Sequence, residues 1–238
     1  MSKIGAYITT HNNPLFLRFA LLQVLAQTTR PNVVAIHQNN HHPSYLWAVG
    51  DLIGPAQRDG MQFLNLESPH LDRVQDWYLI PIRVLIDQGC DYFFKCDHDD
   101  IYYNFHIARL LQALQSGFDF VINRNAGRLV LAPGKPYEYL PSADFSETHA
   151  PGGMSGSWAF TRAFAIQNVH DLAAAPTDRC WEDQITAWET LPRFEGKISR
   201  IESDAPSTCY VSYGGNVSSA HWACLEWARA NKHLFMND

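Results

Sequence analysis

The chain has 238 residues, 46% of them apolar and 18% charged, with a formal net charge of −6. That length suits one large domain with a full core, and the balance is that of a globular protein rather than a disordered one. Net acidity with scattered Lys and Arg argues against a surface built for nucleic acid or anionic membrane.

Ile4 to Thr9 is a short apolar run that fits a buried strand. His11-Asn12-Asn13-Pro14 follows as a turn, with Pro14 suited to the first turn of a helix. Residues 15 to 28 carry apolar side chains at helical spacing, and Val33 to His37 reads as a second buried strand. Strand, helix and strand with short links form a βαβ unit, which implies a parallel sheet and a right-handed crossover. Met61 to Leu66 fits a third strand, and Trp77 to Gln88 a helix that contains Pro81 and ends at Gly89. Tyr92, Phe93 and Phe94 then form another buried strand. Phe105 to Ser116 reads as an amphipathic helix stopped at Gly117, and Phe118 to Asn123 as a further strand. Residues 124 to 157, rich in Pro and Gly, read as loop. The expected architecture is one α/β domain with a mostly parallel central sheet flanked by helices.

The stretch from Asp91 to Tyr103 carries the strongest chemical signal. Its apolar strand runs into Asp97, Asp99 and Asp100, three carboxylates within four residues. Unpaired carboxylates at a strand end are expensive, so a cation is expected there. Asp97 and Asp99 point the same way in an extended segment. Two hard oxygen donors on one spot suit Mg²⁺ or Mn²⁺ held jointly with a substrate phosphate. His98, between them, points to the opposite side and is a further candidate. Polar clusters also end the first two strands, at Thr9-Thr10-His11-Asn12 and Gln38-Asn39-Asn40. In open α/β sheets such strand ends are where ligands bind. Neither the dinucleotide glycine fingerprint nor a P-loop is present.

These segments resemble family-2-type glycosyltransferases with the GT-A fold. Ile4 to Asn40 looks like that family's opening of strand, polar turn, helix and second strand. The acidic turn is similar to its DxD signature. Residues 152 to 164 (GGMSGSWAFTRAF) resemble its glycine-rich acceptor-side segment, and 180 to 188 (CWEDQITAW) its late Glu-Asp motif. The four matches lie in the family's order and cover most of the chain.

The resemblance implies a division into a nucleotide-binding half (1–123) and an acceptor-binding half (124–238). It also implies roles. Thr9 and Asn12 would lie against the nucleotide, and Gln38 would stand where the family usually has a base-reading aspartate. Asp72 and Arg73 would be nucleotide contacts. Asp97 would meet the ribose or an outer metal position, and Asp99 would bind Mn²⁺ or Mg²⁺ directly. Asp183, with Glu182 second, would be the general base of an inverting transfer, and His221 a late metal ligand. Trp158, Trp181 and Trp222 stand beside these motifs with rings suited to sugar faces, whereas Trp47 and Trp188 are expected in the core. The donor would be a nucleotide-diphospho-sugar, UDP favoured, and the acceptor a glycan, a lipid-linked carrier or a protein. A retaining transferase and a non-catalytic nucleotide-sugar or carbohydrate-binding module are the alternatives. A nucleotidyltransferase or metal phosphohydrolase using the same carboxylates is a further one.

The five cysteines form no CxxC pair, so free thiols in a reducing compartment are expected. The sequence begins in a strand pattern without the apolar core of a signal peptide, and no window is long and apolar enough for a membrane span. A cytoplasmic location is the expectation.

Overall fold

The computed structural model describes residues 2–11, 13–39, 44–69, 71, 73–131, 136, 138–144, 155–175, 185–203 and 205–213. The chain opens with β1 (Ile4–His11), buried almost throughout, and turns into α1 (Pro14–Leu25). Asn13 caps that helix, its Oδ1 accepting from the Phe16 amide at 3.3 Å, and Pro14 fills the first helical position. Next come β2 (Val33–Asn39), α2 (Ser44–Arg58), β3 (Gln62–Ser68), α3 (Val74–Asp87) and β4 (Tyr92–Lys95). After the acidic turn lie β5 (Ile101–Tyr102), α4 (His106–Gln115), β6 (Phe120–Asn123), β7 (Asn125–Leu131) and β8 (Glu138–Asp144). The second half adds β9 (Ala159–Thr161), α5 (Arg162–Ala174), a π-helical segment Thr186–Thr190, β10 (Ile198–Ile201) and β11 (Thr208–Tyr213).

The main sheet has seven strands in the order β10-β6-β9-β4-β1-β2-β3. Its pairings are parallel except where β9 runs antiparallel between β4 and β6. Alternation along the strands divides the core between two faces. Ala6, Ile8, Val34, Ile36 and Phe94 pack with α1, α2 and α4; Tyr7, Val33, Ala35, Phe93 and Phe120 pack with α3 and α5. Gly89 and Gly117, at φ 76° and 96°, end α3 and α4 in the left-handed conformation that side chains disfavour.

Three readings of the sequence change here. The segment 124 to 157 is not all loop, because β7 and β8 join β11 and β5 in a second sheet of order β5-β11-β7-β8. Pro141 masked this: it lies on the edge strand β8, beside a register shift opposite Ala126 and Arg128, where a missing N–H is tolerated. Helix α2 escaped notice because Gly50, Gly54 and Pro55 interrupt its pattern. Trp47, on that helix, is 81% exposed rather than in the core. Pro81 does sit inside α3, and the helix continues through it.

Candidate active site

The carboxyl ends of β1, β2, β3 and β4 carry the polar side chains that the sequence singles out. Parallel register sets Thr10 beside Gln38, His11 beside Asn39, and Gln38 beside Glu67. Thr9, Thr10, Gln38 and Asn39 are all buried.

Asn39 fixes the segment that leads into α3. Its Oδ1 accepts from the Leu71 amide at 2.7 Å, and its Nδ2 donates to the Leu71 carbonyl at 3.3 Å. The same carbonyl accepts from Nε1 of Trp77 at 2.8 Å. The His11 ring stacks on Trp77, with centroids 5.4 Å apart and planes 19° from parallel. These contacts build a half-buried aromatic ledge above the first strand. Gln38 faces the other side of the sheet, where its amide donates to Asn65 Oδ1, and Asn65 in turn donates to Glu67 at 2.6 Å. Oε1 of Gln38 is buried without a hydrogen-bond partner.

The acidic turn after β4 is tied down from several elements. Gln23 of α1 donates to the Asp100 carbonyl at 3.2 Å and accepts from the Tyr102 amide, so one buried amide grips both sides of the turn. The Asp97 amide donates to the Tyr102 hydroxyl at 2.6 Å, and that hydroxyl donates to the Gly156 carbonyl at 3.0 Å. Asp100 is buried and accepts from the Val211 amide at 3.3 Å, linking the turn to the second sheet. Burial, then the nearby charges of Asp99 and Asp97, hold the Asp100 carboxyl well above the usual carboxylate range.

Asp97 is engaged on both oxygens. Lys95 Nζ lies 3.2 Å from Oδ2, and the Tyr78 hydroxyl donates to Oδ1 at 3.3 Å. Lys95 is 2% exposed, and its ammonium lies 4.5 Å from the Tyr78 ring centroid and 5.0 Å from that of Trp158. Trp158 is thus part of the floor under the site rather than an open sugar platform. Asp99 is half-buried and makes no hydrogen bond or ion pair with the described residues. His98 leans the other way, its ring 5.9 Å from that of Phe16 on α1.

The remaining predicted residues divide into two groups. Arg73 turns from the strand ends toward α5, where it donates to the carbonyls of Leu172 at 3.4 Å and Ala175 at 3.0 Å. Asn12, Asp72, Glu182, Asp183 and His221 lie outside the described residues, as do Trp181 and Trp222. The flanks of the 176–184 stretch, however, are both anchored. Arg73 holds Ala175 on one side, and Asn168 Oδ1 accepts from Thr186 at 2.9 Å and Thr190 at 3.1 Å on the other. The Thr186–Thr190 segment is π-helical, a form frequent at functional sites.

Lys95, Tyr78, Tyr102 and Gln23 were not anticipated as site residues. One of them had left a sequence signal: a lysine closing an apolar strand just ahead of three aspartates has to pair with one of them.

As a donor set, the turn suits a hard divalent cation. Mg²⁺ and Mn²⁺ are commonly held by one or two carboxylates while substrate phosphates and waters complete the shell. Asp99 offers such a carboxylate. Among the described residues no three His, Cys, Asp or Glu side chains converge on one point.

No family model matches the sequence, and no curated protein matches it either. Solved structures do match in fold. Residues 1–349 of S. aureus TarS align over 88% of this chain and 60% of that one, at 13% identity and a TM-score of 0.59. The mannosyltransferase PcManGT from Pyrobaculum calidifontis, solved with GDP-Man and Mn²⁺, aligns over 95% of this chain and 61% of that one, at 11% identity and 0.57. The 4-diphosphocytidyl-2C-methyl-D-erythritol synthase from Anaerococcus prevotii aligns over 96% and 97%, at 11% identity and 0.52. This chain therefore spans about three fifths of the first and second of these structures. The likeness shows the fold: a nucleotide-diphospho-sugar transferase-like GT-A fold, mixed α/β, with a mostly parallel central sheet flanked by helices.

Proposed function

We propose that the protein is a metal-dependent glycosyltransferase that moves a sugar from a nucleotide-diphospho-sugar to a hydroxyl acceptor. The observation that carries this reading is the acidic turn, held rigid at the end of β4 with the Asp99 carboxylate left open beside it. The GT-A fold supports it, and one neighbour of that fold was solved with GDP-Man and Mn²⁺. Residues 1–123 serve as the nucleotide-binding half and 124–238 as the acceptor-binding half.

In this reading Thr9, Asn12 and the ledge of His11 and Trp77 line the nucleoside side. Gln38 takes the base-reading position, and its partnerless Oε1 is the acceptor it has to offer. Asp72 is a nucleotide contact; Arg73, gripping the end of α5, supports the segment from beneath. Asp99 holds Mn²⁺ or Mg²⁺, with His221 as a late ligand. When bound, the metal supplies positive charge that neutralises the departing nucleoside diphosphate. Asp97 orients the ribose, fixed for that role by Lys95 and Tyr78, with His98 packing the far side of the turn. Asp183, with Glu182 second, removes the acceptor proton in an inverting displacement, a role that requires an ionised carboxylate within hydrogen-bond reach of the hydroxyl. Sequence reading favours UDP as carrier, and a glycan, lipid-linked or protein acceptor receives the sugar in the cytoplasm.

The test is a thermal-shift panel of UDP, GDP, CDP and ADP, each with and without Mn²⁺. A ligand that binds only the folded state adds about 2.7 kcal/mol at a hundredfold excess over Kd. One diphosphate should stabilise with Mn²⁺ alone present, and Asp99→Ala should abolish the effect. Absence of any nucleotide response would sink the reading.

A further inference from the structure

We propose that Lys95 is a positioning residue that acts through Asp97 and keeps this carboxylate off the metal in the nucleotide-free protein. The inference rests on the reading of the acidic turn as a metal-diphosphate site. A lysine is almost never fully buried unless paired. Lys95 is the last residue of β4, at 2% exposure, and its ammonium lies 3.2 Å from Asp97 Oδ2. The rings of Tyr78 and Trp158 enclose that ammonium at 4.5 and 5.0 Å. They supply a face attractive to a cation and keep water out. Its backbone is fixed too, since the Lys95 amide donates to the Trp158 carbonyl at 2.9 Å.

Asp97 is consequently preset before any ligand arrives. Its amide is held by the Tyr102 hydroxyl, Oδ1 by the Tyr78 hydroxyl and Oδ2 by Lys95. A carboxylate whose two oxygens are engaged, one of them by a buried ammonium, is a poor ligand for a second cation. A divalent ion drawn to the turn meets Asp99 as its open carboxylate, together with a fixed positive charge nearby. Two consequences follow. The protein alone holds the ion weakly, and the diphosphate, bringing its own negative oxygens, is what completes the site. Lys95 thereby couples metal uptake to donor binding, and it leaves Asp97 aimed at the donor instead of collapsed onto the metal.

The test is a titration of the purified full chain with MnCl₂ alone, followed by the EPR signal of free Mn²⁺. Lys95→Met should bind Mn²⁺ about tenfold more tightly than the native protein, within the range by which neighbours of metal ligands tune affinity. Lys95→Arg, which keeps the cation, should restore the native value. Lys95→Met/Asp97→Asn removes the pair together and leaves no lone buried charge, so it keeps the test decisive where the single variant does not fold. Native-like Mn²⁺ affinity in the double variant supports the proposal. A Lys95→Met protein that binds Mn²⁺ no more tightly, or a double variant about tenfold weaker than the native chain, overturns it, because Asp97 would then be a ligand already. A parallel titration with UDP or GDP present separates the two readings. If no nucleotide binds with Mn²⁺, the transferase reading fails, while the Mn²⁺-alone titration still decides the role of Lys95.

Discussion

Nδ1 of His37, on β2, lies 2.9 Å from the carbonyl of Trp77, on α3. That carbonyl is the one which Pro81, four residues on and without an N–H, cannot satisfy within the helix. A buried imidazole from the sheet thus repairs the defect that a proline introduces, and it fixes how α3 lies on β2. Its other nitrogen meets the Ser68 hydroxyl at 3.1 Å, so the ring joins β2, β3 and α3 at the edge of the candidate site.

His37→Leu should therefore destabilise the fold by about 1–3 kcal/mol, the usual consequence of leaving a buried carbonyl unpaired. In a Pro81→Ala background, where residue 81 regains an N–H, the same change should be milder. Urea unfolding of the four proteins of this double-mutant cycle measures the coupling. Equal losses in the two backgrounds would mean that the imidazole does not serve the orphaned carbonyl.

Two buried histidines give a pH dependence whose sign is fixed. Burial pushes the His37 imidazole below its ordinary value, and burial then Arg109 push His106 down to about 3. Both rings resist protonation in the folded chain, whereas the unfolded chain takes up protons near pH 6.5. Their contribution is complete above about pH 6.5 and is lost as the pH falls through each folded value, which for His106 is about 3. For His106 the total is on the order of 5 kcal/mol. Stability measured from pH 7 to 4 should fall, and His106→Asn should flatten that slope. An unchanged slope would contradict the assignment.

Much of this molecule is readable from its residues, for identifiable reasons. The elements β1, α1, β2, β4, α4 and β6 follow from apolar period and from turn residues at their ends, because burial on a sheet face or helix stripe dictates both. The acidic turn is legible because carboxylates at the end of an apolar strand need a stated partner. What stayed hidden depends on contacts distant in sequence. That Gln23 grips the turn from α1, 77 residues away from Asp100, leaves no local trace. Nor does the engagement of Asn39 with Leu71, because asparagine at a strand end has ordinary turn chemistry to explain it. Strand β8 was obscured by Pro141, which an edge strand tolerates, and its partner β7 was passed over with it.

Tyr102 offers a test of rigidity at the turn. Its hydroxyl accepts from the Asp97 amide and donates to the Gly156 carbonyl, joining the acidic turn to the segment that leads into β9. Tyr102→Phe preserves the ring and leaves both backbone groups unpaired, with an expected loss of about 1–3 kcal/mol. Binding of the stabilising nucleoside diphosphate with Mn²⁺ should weaken as well, since Asp97 and Asp99 lose their fixed spacing. Calorimetric titration of folded Tyr102→Phe reads this directly. Native affinity in the variant would show that the hydroxyl supports stability alone.

Asn168 separates binding from turnover. Its buried Oδ1 receives the hydroxyls of Thr186 and Thr190, and so holds the carboxyl-terminal flank of the stretch containing Glu182 and Asp183. Arg73 holds the other flank through the Ala175 carbonyl. Asn168→Ala removes one acceptor shared by two buried donors, which is expected to destabilise by about 1–3 kcal/mol. The acidic turn, on β4, has no part in that contact, so nucleotide and Mn²⁺ binding should stay near native. If Asp183 is the base, its reach to the acceptor hydroxyl depends on these anchors, and a misplacement of about 1 Å can lower the rate a hundredfold. Donor turnover compared with donor affinity in folded Asn168→Ala gives the answer. Turnover that falls while affinity holds places the proton transfer on the 176–184 stretch. Turnover that holds as well argues for a base elsewhere in the chain.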